Sequence, residues 1–379
     1  MLMFSAIVAV FVYGMIAAML GTILPDLSDR FHLIPAQNGT IAFAQALGLI
    51  IASVGVGPLL DSEGMKIGLI LGLVLIAIAL CALPLSPGFR SVLFLFFLLG
   101  IGGGIVVTGA NALVSDISEA YRATALNLVN LFFGLGALAT PSISANLFRR
   151  KWIRLCYTVA TLTIVTLIIQ AATRMPSSTD GTAGFVLADV GPILGRPLLF
   201  LLGLFLFLYI SCEVGVWNWL PRHLIAQGIP ESRALNILSL GFALGLLIGR
   251  VAASPILIHA SALTVTLAAS IAMTVTTFLM LRVKKSKPAF ALVFVAGVSM
   301  GPVFPTTLAI VGTAFPRMTG TAIGFVITCG WIGLAASSRI IGMIAGGDPS
   351  RLKKALLLIP GSAVLMVGLN LAIGSALHQ

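Results

Sequence analysis

Apolar residues run for about twenty positions at a time, with short polar breaks between the runs. A helix rising about 1.5 Å per residue needs about 20 residues to cross the hydrocarbon layer of a bilayer. The pattern predicts twelve spanning helices, at 1–24, 38–60, 67–86, 90–114, 123–147, 153–173, 196–220, 233–254, 258–281, 288–314, 318–346 and 353–376. The first run has no Lys or Arg ahead of it and is too long for the apolar core of a signal peptide, so it is read as a span. One connector is long and polar, RMPSSTDGTAGFVLADVGPILG at 174–195. It is read as a cytoplasmic linker, with its FVLADVGPIL part lying on the membrane surface. The expected organisation is an all-α polytopic membrane protein. It has one six-helix bundle at 1–173, the linker at 174–195 and a second six-helix bundle at 196–379.

The two halves echo each other. The fifth span opens with Arg122-Ala123-Thr124 and reaches GLGALATPSI. The eleventh opens with Arg317-Met318-Thr319 and reaches WIGLAASSRI, an offset of about 195–197 residues. A parallel repeat of two six-helix units is one pattern of secondary transporters. The string GIGGG at 100–104 looks like a dinucleotide loop, but that motif needs a strand before it and a helix after it. Inside an apolar span, close helix packing is the expected role of these glycines.

Composition narrows the function. The 379 residues are 59% apolar and only 9% charged, where soluble domains carry about 25% charged residues. A soluble enzyme, a disordered chain and a free nucleic-acid binder are excluded together. The net charge is +11, but the cations sit in short connectors and build no basic helix face. Lipid headgroups, not nucleic acid, are the expected partner. Cys81, Cys156, Cys212 and Cys329 lie inside apolar runs without a CxxC pair and are expected to pack as small apolar groups. No metal spacing and no paired catalytic side chains inside the spans stand out, so neither an enzyme nor a metal site is expected. No cofactor is expected beyond a co-transported proton or sodium ion.

The connector after the second span reads GVGPLLDSEGMKIGL. Gly57, Asp61, Gly64 and Lys66 fit the pattern G-x-x-x-D-x-x-G-x-K/R. The two glycines allow close backbone approach and a tight turn. Asp61 is suited to a helix N-terminus or to an arginine on a neighbouring helix. Asp116 and Arg122, after the fourth span, are candidates for the same gating network. This connector resembles the cytoplasmic signature of the major facilitator superfamily.

Further segments resemble the fucose–galactose–glucose:proton symporter family of that superfamily. They are FHLIPAQNGTIAFAQALGLIIASVGVGPLLD, GANALVSD, RATALNLVNLFFGLGALATP, ISCEVGVWNWLPRHL and GPVFPTTLAIVG. The resemblance implies a twelve-helix fold, a central cavity between two bundles and a hexose-like substrate. It also implies a monomer in the bacterial inner membrane with its N-terminus in the cytoplasm. Where the fucose symporter has acids late in helix 1 and in helix 4, this chain has Gly21 and Val107, and Phe133 replaces a helix-5 asparagine. The resemblance therefore does not extend to that proton-handling chemistry, nor to fucose itself.

Loop charge opposes that orientation. With the N-terminus inside, the inner connectors and helix ends hold Lys66, Arg122, Arg174, Arg196, Arg250 and Arg317. The outer connectors hold far more, Arg90, Lys151, Arg154, Arg282, Lys284 and Lys285 among them. The positive-inside rule alone would turn the chain over.

Polar residues inside the spans are the candidate site. Glu213 is the one acid well inside a span, and intramembrane acids face a cavity or a partner. Tyr209, Glu213 and Trp217 share one helix face at i, i+4 and i+8. A carboxylate flanked by aromatic rings suits a sugar, accepting its hydroxyl protons and stacking on its apolar face. Glu213 is also the candidate coupling group for a proton or sodium ion, and Arg339 is its expected ion-pair partner. Gln45, Asn111, Asn127 and Asn130 are further substrate candidates, since amides suit hydroxyls. The competing role for them is inter-helix hydrogen bonding. Trp331 is a candidate stacking ring. The expected function is a transporter of a small polar solute, a hexose-like sugar, by alternating access. An exporter of amphipathic molecules on the same fold is the alternative.

Overall fold

The computed structural model describes residues 1–148, 151–175, 190–346 and 349–377. Among them are 12 helices long and apolar enough to cross a membrane. They are α1 Leu2–Phe31, α2 Ala36–Glu63, α3 Met65–Leu85, α4 Phe89–Ile117, α5 Glu119–Leu147 and α6 Trp152–Ala172. The second series is α7 Pro197–Ala226, α8 Glu231–His259, α9 Ala262–Met280, α10 Ser286–Ala314, α11 Thr319–Ala345 and α12 Leu358–Leu377. A short helix, Pro349–Leu356, precedes α12. Most of the expected linker lies outside the described residues; its end, Val190–Leu194, is helical.

The expected spans are all present, but several helices outrun them. The apolar pattern predicts 233–254, whereas α8 continues to His259. α8 runs through Pro255, before which the expected span stops.

The described chain forms two compact units. Unit 1 comprises Met1–Ser118, Val129–Leu194 and Phe315–Thr328. Unit 2 comprises Glu119–Leu128, Gly195–Ala314 and Cys329–Gln379.

In unit 1, α4 is the axis. A Cβ on Gly100 would meet the backbone of Gln45 and Gly48 on α2. One on Gly102 would meet the Gly72 carbonyl of α3, and one on Gly103 would meet the Tyr13 ring of α1. The GIGGG string therefore lets α4 touch three helices without side-chain spacers. Ala52, Val56, Leu60 and Ile105 fill the seam between α2 and α4.

In unit 2, α8 and α10 repeat that close approach. Gly245 faces Gly297, and Gly301 faces the Leu246 carbonyl. Gly48 against Gly100, and Gly104 against Leu49, are the corresponding contacts in unit 1, at the offset seen in the sequence. The repeat is thus one of contacts as well as of composition.

α10 is interrupted. Its helix stops at Met300 and resumes at Val303, across Gly301-Pro302. Pro302 and Pro305 have no backbone N–H, so the carbonyls of the preceding turn lose their usual partners. The break sits in the interior of unit 2, where those carbonyls need other donors.

Candidate functional site

The signature connector is built in unit 1. Gly64 has φ 89°, a left-handed conformation that a side chain would strain, and it turns α2 into α3. A Cβ on Gly57 would stand 2.6 Å from the Thr321 Cα, so only glycine lets α2 and α11 meet there. That approach brings Asp61 to the first turn of α11. Its Oδ1 accepts from the Gly320 N–H at 2.8 Å. Its Oδ2 accepts from the Thr321 N–H at 2.7 Å and from the Thr321 hydroxyl at 2.6 Å. Of the two partners expected for Asp61, the structure thus supplies the helix N-terminus. The carboxylate satisfies orphan donors and faces the positive end of the helix dipole.

Lys66 does the reverse. Its ammonium donates to the Ala171 carbonyl at 2.7 Å, in the last turn of α6. The connector therefore caps two helix ends with matching charges, an acid on an N-terminus and a base on a C-terminus. Asp116 is exposed on the last turn of α4. In unit 2, Arg122 is buried and donates to the Thr313 hydroxyl at 2.8 Å, near the end of α10. Thr124, two residues further on, donates to the Ser254 carbonyl of α8 at 3.0 Å.

The polar face of α7 lies within unit 2. Tyr209 is fully buried, and its hydroxyl donates to the Met300 carbonyl at 3.0 Å. Arg250 of α8 is 6% exposed, and its Nε donates to the Gly301 carbonyl at 3.2 Å. Two side chains from other helices thus serve the carbonyls at the break in α10. Glu213 and Arg250 are the charged groups whose fields act on the Tyr209 hydroxyl. Glu213 itself is half-buried. Trp217, one turn beyond it, is half-buried and meets the Phe242 ring edge-on, with centroids 5.4 Å apart.

One expectation changes here. Arg250 is expected near a helix end because the expected span stops before Pro255, but α8 runs through Pro255 to His259 and Arg250 lies inside it. Arg339 is exposed on α11, while the buried cation beside Tyr209 is Arg250. The signal for Arg250 was present in LGLLIGRVAASPILI, a single arginine inside an apolar string. Trp331 is half-buried on α11.

The amides divide. Asn111 is fully buried; its Nδ2 donates to the Val107 carbonyl and its Oδ1 accepts from Asn130 Nδ2, both at 2.7 Å. This pair ties α4 to α5 inside unit 1. In unit 2, Asn127 donates to the Ala123 carbonyl at 2.9 Å and to the Thr306 hydroxyl at 3.0 Å. Its Oδ1 is buried with no donor. Gln45 is half-buried on α2. Among the described residues, no three His, Cys, Asp or Glu side chains stand together as metal ligands.

Comparison with known proteins agrees with this architecture. The sequence profile of the Major Facilitator Superfamily matches residues 6–338. The yeast (Saccharomyces cerevisiae) Bypass of stop codon protein 6 is 22% identical over 88% of this chain and 75% of its own length. The 4-hydroxybenzoate transporter PcaK of Pseudomonas aeruginosa is 30% identical, over 36% of this chain and 31% of that protein. The glucose/mannose transporter GlcP of Bacillus subtilis is 25% identical, over 64% of this chain and 62% of that protein. The crystal structure of FucP in the outward conformation superposes with a TM-score of 0.86 at 17% identity, covering 98% of both chains. A structure of the E. coli fucose:proton symporter FucP gives 0.84 at 16%, again over 98% of each. Twelve spans, an acid-capped signature connector and a profile match across most of the sequence converge, and the chain belongs to the Major Facilitator Superfamily, as an integral multi-pass transporter of a small solute and not an enzyme.

Proposed function

We propose that the solute is a hexose-like sugar, moved by alternating access, and that the α7 face is its binding surface in unit 2. The observation that carries this reading is Glu213, a half-buried carboxylate inside a spanning helix with Tyr209 and Trp217 on the same face. Glu213 accepts sugar hydroxyls, and Trp217 offers a ring to the apolar side of the pyranose. Asn127 adds a buried acceptor oxygen without a donor, and Trp331 adds a second ring. Glu213 also serves as the coupling group, with Arg250 in the charge-balancing place first given to Arg339. Asn111 and Asn130 hold helices together within unit 1, where Gln45 on α2 is proposed as a polar contact of that unit alone. The chain is read as halves 1–173 and 196–379 joined at 174–195, monomeric, with the signature connector in the cytoplasm. The name of GlcP supports a sugar.

A second reading is an aromatic carboxylate. Arg250, a guanidinium buried inside a span, favours it, because that group pairs with carboxylates in a fixed geometry. The name of PcaK supports the same class.

Uptake into proteoliposomes separates the readings. Labelled hexoses and labelled 4-hydroxybenzoate are each presented with no gradient, an inward proton gradient or an inward sodium gradient. Hexose accumulation above equilibrium with one ion is the expected result. Aromatic-acid uptake without hexose uptake transfers the site to the second reading. Movement of neither, by folded protein that protects cells from amphipathic toxins, makes it an exporter.

A further inference from the structure

One end of unit 2 concentrates positive charge. The short helix Pro349–Leu356 is two-faced: Leu352, Ala355 and Leu356 are buried, while Arg351, Lys353 and Lys354 are exposed. The connector from α9 to α10 adds Arg282, Lys284 and Lys285, the first turn of α10 adds Lys287, and the last turns of α7 add Arg222, all exposed. These segments meet. His223 of α7 lies 3.2 Å from the Leu281 carbonyl that follows α9, and Lys353 acts electrostatically on His223. Among the described residues, Glu231 is the acid at this end.

The cations stand at the ends of the spanning helices α7 and α9 and just ahead of α12. Pro349–Leu356 leads into the spanning helix Leu358–Leu377. Large apolar side chains stand exposed directly below the charge: Leu357 at 46%, Leu358 at 42%, Phe278 at 38%. Arg282 stacks 4.2 Å from the Phe278 ring centroid, and Arg222 stacks 5.2 Å from that of Trp219. Aromatic rings at span ends with arginines reaching past them mark the membrane interface.

We infer that this end of unit 2 is a binding surface for anionic phospholipid headgroups, with Arg351, Lys353 and Lys354 as its core. A soluble protein partner fits less well, because the apolar rim beneath the cations is already the part of the surface that lipid tails cover. A small soluble anion fits less well too, because the cations are all exposed to solvent.

The test uses the full chain in nanodiscs of phosphatidylcholine, with and without phosphatidylglycerol, and measures lipid retained by native mass spectrometry. Each surface cation is worth about fivefold in affinity for an anionic membrane. The triple variant Arg351→Gln, Lys353→Gln, Lys354→Gln is expected to retain phosphatidylglycerol about tenfold to a hundredfold less well. A charge-matched control, Arg90→Gln, Lys151→Gln, Arg154→Gln, alters exposed cations of unit 1 and is expected to retain it as the parent does. Lys353→Arg with Lys354→Arg keeps the charge and is expected to keep the lipid, which separates charge from folding. Equal loss in the control overturns the proposal in favour of net charge alone. Displacement by inorganic phosphate beyond that by sodium chloride of equal ionic strength overturns it in favour of a soluble anion.

Discussion

Asp61 takes both donors of Thr321 on one oxygen, the N–H at 2.7 Å and the hydroxyl at 2.6 Å. Its other oxygen takes the Gly320 N–H. The carboxylate is therefore held mainly by backbone, and the helix dipole adds to it. Asp61→Asn presents an amide to N–H donors and removes the charge. It is expected to cost about 2–3 kcal/mol at this contact, read as a lower thermal midpoint of the purified protein together with slower uptake. Thr321→Val removes one donor of three and is expected to cost about 1 kcal/mol. Equal effects of the two variants would mean that the backbone donors contribute little.

The two arginines should respond unequally. Arg250→Met removes the buried cation that acts on the Tyr209 hydroxyl and leaves the Gly301 carbonyl without its donor. A cost of about 1.5–3 kcal/mol is expected, as when a charged donor to a buried carbonyl is removed. Arg339→Gln, on an exposed side chain, is expected to stay within about 0.5 kcal/mol. Melting curves of the two variants in one detergent compare them directly, and similar melts would remove Arg250 from the site.

Tyr209→Phe leaves the Met300 carbonyl unserved while preserving the ring. The expected loss is about 1–2 kcal/mol, with uptake reduced rather than abolished. Hydrogen exchange across the break in α10 should rise in this variant; unchanged exchange there would mean that the hydroxyl does not hold the break.

Glu213→Gln separates coupling from binding. Accumulation above equilibrium is expected to vanish while sugar exchange across the membrane persists. Equal loss of both would leave Glu213 a binding group alone, and loss of neither would take it out of the mechanism.

The paired glycines give a test of the repeat. Gly100→Val and Gly297→Val both drive a side chain into the backbone of a neighbouring helix. Each is expected to destabilise by at least about 3 kcal/mol, seen as loss of monodisperse protein on size exclusion. Gly39→Ala, with nothing within 4 Å of the new Cβ, is the matched control and should elute normally.

Element number and order were legible in the sequence because lipid demands long uninterrupted apolar runs, and those dominate any other signal. Depth along a helix was legible less well. The depth of Arg250 was misread because α8 continues through Pro255 to His259, beyond the expected stop. The direction in which a polar side chain points was not legible at all. Asn111 and Asn130 have the same chemistry as a sugar-binding amide pair, yet their groups face each other across two helices. Only the placement of α4 beside α5 decides between those roles. The Asp61 contact was partly legible: the motif announced a charged latch and left two partners open, and the small side of Gly57 selects the helix terminus.

The break in α10 places part of that helix's hydrogen bonding in the hands of its neighbours. The carbonyls of Met300 and Gly301 are served by Tyr209 and Arg250, on α7 and α8. A hydroxyl or carboxylate that recruits either side chain withdraws a donor from the break at the same moment. Occupancy and backbone geometry then share one free-energy difference, so whatever tightens the solute must loosen the bend, and straightening the bend must in turn weaken the hold on the solute. On the proposed reading of the α7 face, the same two side chains make the interrupted helix respond to whether that face is occupied.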